Sequence, residues 1–167
     1  MLSNDLTNKL NAQINYECSS VVLYMQMSAW CASRGYDGCA KFFRLQANEE
    51  KQHMEKLFDY MLETGALPIL GQLAAPPTSW KTVKELFQVT FDHESKASHN
   101  ISALVDVALA EKDYSTFNFL QWYVAEQHEE EHKLKSLLDR IEMITEEGHG
   151  LFTIDREVSR LSSPRRQ

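Results

Sequence analysis

The sequence predicts an all-α protein, a bundle of four long helices with a long crossover between the second and third and a short fifth helix after them. Three observations lead there. Apolar residues recur at alternating four- and three-residue steps in four separate stretches, the period of helices facing a shared core. The six glycines and four prolines among 167 residues all fall outside those stretches. One connection, residues 66–81, carries Pro68, Gly71, Pro76 and Pro77 and so is not regular helix.

The first helix is expected from about Asn4 to Ser33, with Leu10, Ile14, Glu17, Val21, Tyr24 and Ser28 along its seam. Arg34 to Gly38 reads as a tight turn, glycines stopping one helix and Asp37 placed to cap the next. The second helix, about Gly38 to Thr64, carries Phe43, Ala47, Glu50, Met54, Leu57 and Met61 on its seam and stops at Gly65. Extended at about 3.3 Å per residue, the 66–81 connection reaches roughly 50 Å, more than a helix about 40 Å long, so helices two and three are expected to run parallel.

Thr82-x-x-Glu85 reads as a capping box opening the third helix, whose seam is Phe87, Thr90, Glu94, Ala97, Ile101, Leu104 and Ala108. After a short break at Glu111 to Tyr114, a fourth helix from about Ser115 to Ile144 presents Leu120, Tyr123, Gln127, Glu130, Leu134, Leu137 and Ile141. Gly148-His149-Gly150 is expected to close it, and Leu151, Phe152, Ile154, Val158 and Leu161 mark the short fifth helix. Residues 1–161 then form a single domain, and 162–167 a mobile tail.

Composition narrows the function. At 43% hydrophobic and 25% charged, the chain has enough apolar residues for one sizeable core. A net charge of -7 argues against a general binder of nucleic acid or anionic membrane. No stretch approaches the roughly 20 apolar residues of a membrane span, and MLSNDLTNKL lacks the basic-then-apolar pattern of a signal peptide. The expectation is a soluble cytoplasmic protein in which Cys18, Cys31 and Cys39 stay reduced.

The chemistry lies in four acids standing where packing wants leucine. Glu17, Glu50, Glu94 and Glu130 each occupy a seam position, and Glu50-x-x-His53 sets a carboxylate and an imidazole on one helix face. The halves repeat: Glu17 to Glu50 spans 33 residues with His53 three further on, and Glu94 to Gln127 spans 33 with Glu130 three further on. Each hairpin thus offers one ligand from its first helix and an i, i+3 pair from its second. A buried bare carboxylate costs several kcal/mol, roughly, and four together with no Lys or Arg on any seam would repel one another strongly. Two bridged divalent cations remove that cost, and oxygen-rich ligation with one histidine suits iron or manganese better than a thiolate zinc site.

Glu17, Glu50-x-x-His53, Glu94 and Gln127-x-x-Glu130 on a five-helix pattern resemble the ferritin family, and within it the bacterial non-haem ferritins, over the whole chain except the tail. The resemblance implies a diiron ferroxidase centre in which Glu17, Glu50 and His53 hold one iron and Glu50, Glu94 and Glu130 a second, Glu50 bridging and Gln127 beside them. It implies a third iron site at Glu49, Glu126 and Glu129 that shares Glu130, where the alternative is a solvated acidic face. Tyr24, about 10 Å along the seam from Glu17, matches a tyrosine near the centre, or else a hydrogen-bonded core residue. Trp122 stays open between packing and a redox part. Also implied are a cage of 24 identical subunits, iron storage, oxygen or peroxide as oxidant, and no haem.

Neighbouring families fit less well. A bacterioferritin would carry Glu-x-x-His in both halves and a methionine beside the bridging glutamate, where this chain has Gln127-x-x-Glu130 and Lys51. A rubrerythrin-type peroxidase would add a C-x-x-C segment, and the small DNA-protecting relatives lack the fifth helix and build their iron site across subunits. A helical interaction module with merely structural acids is the reading from another class. His93 and His132 lie off the seams and are expected at the surface, and His99, His128 and His149 fit no ligand pattern.

Overall fold

A computed structural model describes residues 2–144 and 148–161, which form five helices and no strand. They are α1 (Asn4–Ala32), α2 (Asp37–Glu63), α3 (Val83–Ala110), α4 (Tyr114–Glu142) and α5 (His149–Leu161). Residues 162–167, expected to be a mobile tail, lie outside the described residues. None of the helices is long and apolar enough to cross a membrane.

Local chemistry sets most helix ends. Ser3 caps α1 by accepting from Leu6 N, and Thr82 caps α3 by accepting from Glu85 N at 3.0 Å. The C-terminus of α1 closes with Gly35 at φ 77°, its N–H bonded to Ala32 O and that of Tyr36 to Cys31 O. The α3–α4 turn uses the same pairing with a non-glycine residue, Lys112 at φ 58°, so that Asp113 follows at once as the cap of α4.

Two boundary expectations change. Asp37 does not cap α2; it is the first helical residue, and the cap position belongs to Tyr36, which makes no side-chain bond there. The acceptor comes instead from α5: Asp155 takes the N–H groups of Gly38 at 2.9 Å and Cys39 at 2.8 Å. Likewise His149 and Gly150 do not close α4, which ends at Glu142 with Met143 as its cap; they form the first turn of α5.

Cross-helix contacts establish the topology. Tyr16 and Ser20 meet His93 while Met27 meets Thr90, so α1 and α3 are antiparallel. Gln46 meets Glu130 while Tyr60 meets Thr116, so α2 and α4 are antiparallel too. With α1 and α2 joined by a tight turn, α2 and α3 run parallel, as the length of the crossover predicts. That connection lies along α1, where Asn11 accepts from Ile69 N and Asn15 from Gly71 N, both at 2.6 Å. Its far end is anchored by the buried Trp80, edge-on to Trp30 with centroids 5.8 Å apart.

The core is divided lengthwise. One apolar cluster gathers Met27, Trp30, Phe42, Phe43, Phe87, Leu134 and Leu137 with Ile154 and Val158 of α5. The other gathers Leu6, Leu10, Ile14, Leu57, Met61, Ile101, Leu104 and Leu120. Between them in sequence on all four long helices sit the buried polar residues Glu17, Glu50, His53, Glu94, Gln127 and Glu130, with Gln46 one turn before Glu50. Nearly every predicted seam residue is buried, with Val21 and Met54 only partly so.

The α5 cap can be tested directly. A Cβ on Gly38 would fall 2.1 Å from the Asp155 carbonyl oxygen, so Gly38→Ala must push α5 off α2. We expect Gly38→Ala and Asp155→Ala each to cost about 1–3 kcal/mol in urea unfolding and to speed amide exchange in α5. Unchanged exchange in α5 would show that Asp155 does not hold it.

Candidate metal centre

The three first-half ligands converge. Glu17 on α1 and Glu50 and His53 on α2 place one ligand atom each within 4.8 Å of the others, and all three are buried. Helical spacing brings Glu50 and His53 to one face, and the α1–α2 packing delivers Glu17 opposite. His53 Nδ1 lies 3.4 Å from Glu50 Oε2. Its ring is wedged edge-on by Trp122 and Tyr123, at 5.4 and 6.2 Å, and the Tyr123 hydroxyl donates to the His53 carbonyl at 2.7 Å.

Polar satisfaction within this group is incomplete. Gln13 donates to Glu17 at 2.7 Å, yet Glu50 Oε1 and His53 Nδ1 are shielded from solvent without any hydrogen-bond partner. The great majority of buried polar atoms are paired, and an orphaned carboxylate oxygen beside an orphaned imidazole nitrogen is a donor pair that could hold a cation.

The second-half carboxylates reach the same layer with protein partners already in place. Glu94 accepts from the Tyr24 hydroxyl on one oxygen and from Gln127 Nε2 at 3.1 Å on the other. Tyr24 is thereby joined to the centre through Glu94. Glu130 accepts from Gln46 Nε2 at 3.1 Å and from the Lys133 ammonium at 2.9 Å. Among the described residues, Glu94 and Glu130 therefore do not join the tight three-ligand group.

Glu49, Glu126, Glu129 and Glu130 line one open cleft of about 810 Å³ between α2 and α4, with Lys133 among them. Glu49 and Glu126 are half-buried and Glu129 is exposed. Trp122 is 39% exposed, with the Lys56 ammonium 4.7 Å from its ring centroid.

Sequence reasoning missed four side chains. Gln13 and Gln46 precede Glu17 and Glu50 by one turn and are themselves 33 residues apart, so the repeat that located the acids marked their amide partners as well. Lys133 follows Glu130 at i+3 but stands off the seam, where a reading of seam residues alone does not reach it. Tyr16 stacks on His93 at 4.6 Å and donates to its carbonyl. That contact also corrects the surface placement of His93: it is half-buried, bonded to Ser20 at 2.7 Å, and burial lowers its pKa to about 4. His132 is exposed as expected.

Burial dominates the electrostatics. Desolvation, reinforced by neighbouring carboxylates, raises Glu17 and Glu50 well above the ordinary glutamate value. Desolvation lifts Glu94 to about 7 despite hydrogen bonds from Tyr24 and Gln127 that pull it down. Glu49 is raised by burial, against the pull of Lys133. Burial thus favours the uncharged form of Glu17, Glu50 and Glu94.

Known proteins are similar to the chain over nearly its whole length. A family model described as a ferritin-like domain matches residues 7–144. The chain belongs to the ferritin family. It is 48% identical over 98% of its length to a probable bacterial non-heme ferritin-like protein of Haemophilus influenzae, covering 99% of that protein. With a bacterial non-heme ferritin of Escherichia coli the identity is 45% over the same shares. Among solved structures, a Chlorobium tepidum ferritin superposes with TM-score 0.83 at 52% identity, covering 95% of this chain and 97% of that one. An Archaeoglobus fulgidus ferritin, described as an open-pore form, gives TM-score 0.91 at 36% identity over 99% and 98% of the two chains.

The raised carboxyls give a pH signature of defined sign. Each is more protonated in the folded than in the unfolded metal-free chain. Their stabilising contribution is thus complete below the ordinary 4.5 and is lost as pH rises through the folded value, about 7 for Glu94. We expect the Tm of the metal-free protein to fall between about pH 5 and pH 8 more steeply than that of Glu94→Gln, and a redox-inert divalent cation to flatten or reverse the fall. Equal slopes in both proteins, with and without cation, would contradict this account of the layer.

Proposed function

We propose that this ferritin stores iron, oxidising Fe(II) inside each subunit bundle and depositing the ferric product within a cage of like subunits. The observation that carries the reading is the pair of orphaned ligand atoms, Glu50 Oε1 and His53 Nδ1, within a buried cluster that includes Glu17. Iron is the substrate here. Glu17, Glu50 and His53 would bind one Fe(II), and Glu94 and Glu130, released from their present partners, would join Glu50 around a second, with Gln127 beside it.

Each Fe(II) gives up one electron, and dioxygen or peroxide takes up the two. The protein's part is to bring two cations to one bridging carboxylate, to neutralise their charge, and to accept and release protons as ligands exchange. Tyr24, hydrogen-bonded to Glu94 and fully buried, holds that carboxylate until a cation takes it and keeps its own proton, since burial beside carboxylates raises its pKa far above the ordinary phenol. Glu49, Glu126 and Glu129 would offer a third iron position on the way out of the bundle.

Assembly follows from the same reading. Leu67, Ile69 and Leu70 of the crossover are 57–73% exposed, an apolar run suited to a like subunit. The description of the Archaeoglobus relative as an open-pore ferritin presupposes a shell. We therefore propose a cytoplasmic cage of 24 subunits, without haem.

The test is anaerobic Fe(II) titration followed by oxygen. The expected result is rapid oxidation of about two irons per chain. In Glu50→Ala and Glu94→Ala the fast phase should fall by more than the roughly 10- to 100-fold that losing an outer partner of a metal ligand costs. In Glu129→Ala the fast phase should survive, with only later turnover changed. Identical behaviour in all four proteins would make the seam acids structural and end the ferroxidase reading.

A further inference from the structure

One cation belongs to the chain itself. The Lys133 ammonium lies 2.9 Å from each oxygen of Glu130, 2.6 Å from Gln46 Oε1 and 3.8 Å from Glu49 Oε2. Gln46 closes the ring by donating its Nε2 to Glu130 at 3.1 Å. The seat is built rather than incidental, because Gln46 and Glu130 are buried and both amide ends of Gln46 are committed. The Phe42 ring, 5.6 Å from the ammonium, closes another side. Glu49 Oε2 is shielded from solvent and has no hydrogen-bond partner, so the ammonium is the positive charge that faces it.

We propose that Lys133 is a tethered occupant of the third metal position, which a metal ion enters only by displacing its ammonium from Glu130 and Glu49. The inference rests on the reading of a two-metal centre at Glu17, Glu50, His53, Glu94 and Glu130, and it adds a determinant of how many ions each subunit holds. A carboxylate that already accepts two charge-assisted bonds loses them when it turns to a metal, so the third ion binds against a resident competitor. The exit is open. The Lys133 side chain is 30% exposed at the mouth of the cleft, and its flexible stem lets the ammonium move into water. Glu17 and His53 have no contact with Lys133, so the first ion enters without that competition.

The experiment is anaerobic calorimetric titration with Fe(II) of the assembled protein and of Lys133→Met, Lys133→Arg and Lys133→Met/Glu129→Gln. Wild type should bind the first equivalent per chain tightly, a second that draws Glu130 away from Gln46 and Lys133 less tightly, and a third that takes the ammonium's place beside Glu49 about tenfold or more weakly again. In Lys133→Met the third equivalent should tighten by about tenfold or more, with the first unchanged. Lys133→Arg, which keeps the charge, should stay like wild type, and the double variant should lose the gain. Circular dichroism melts and the retained first equivalent show that each variant is folded. A third equivalent equally weak in Lys133→Met, or already tight in wild type, overturns the proposal while the two-metal centre stands. Failure of wild type to bind two equivalents, or their persistence in Glu50→Ala, overturns the two-metal reading and this proposal with it.

Discussion

The structure depends on a repulsion that it does not itself resolve. Four glutamates that would prefer water are held in one layer of an apolar bundle, where each is nearly inaccessible to solvent. In a medium less polarisable than water their mutual repulsion is several-fold stronger than at the surface, and desolvation adds to it. Burial and the neighbouring carboxylates accordingly raise Glu17, Glu50 and Glu94 above the ordinary glutamate value. A divalent cation in such a layer would remove both penalties at once, which is what supports the proposed metal centre.

The two apolar clusters make that layer tolerable. Aromatic and aliphatic side chains pack on one side from Met27, Phe43, Phe87 and Leu134, and on the other from Leu10, Leu57, Ile101 and Leu120. Each helix crosses from one cluster to the other through the polar layer, so the four backbones are fixed on both sides of the site. Ligand side chains can then be left unpaired in the middle without the helices drifting apart to hydrate them.

How much of this was legible follows from what each signal measures. The seams, the crossover and the parallel α2 and α3 came from periodicity and from proline placement, which report backbone geometry directly. Glu17, Glu50 and His53 were legible because an acid on an apolar stripe is a conflict visible in sequence. The cap on α2 was not: Asp155 acts across 116 residues on Cys39, and no local pattern announces an acceptor lent by another helix. Nor was Lys133, which stands off the seam, although a lysine stem is long enough to carry its charge round the helix to a buried partner. His93 was misplaced for a related reason. The angle that turns it from the site directs it toward α1, where Tyr16 and Ser20 cover it.

The repeat of the two hairpins matters most where it fails. In the first half the i, i+3 pair is Glu50 and His53, and it leaves two polar atoms without partners. In the second half the pair is Gln127 and Glu130, and each of its acids is already satisfied: Glu94 by Tyr24 and Gln127, Glu130 by Gln46 and Lys133. Glutamine in place of the glutamate at one equivalent position, and glutamate in place of the histidine at the other, thus divide the layer into an end with unpartnered polar atoms and an end whose acids are already paired. On the proposed two-metal reading, a first cation would meet Glu50 and His53 atoms that have no other partner, whereas every later one would have to exchange with a hydroxyl, an amide or an ammonium. The order of binding would then follow from the side chains that break the repeat between the two hairpins.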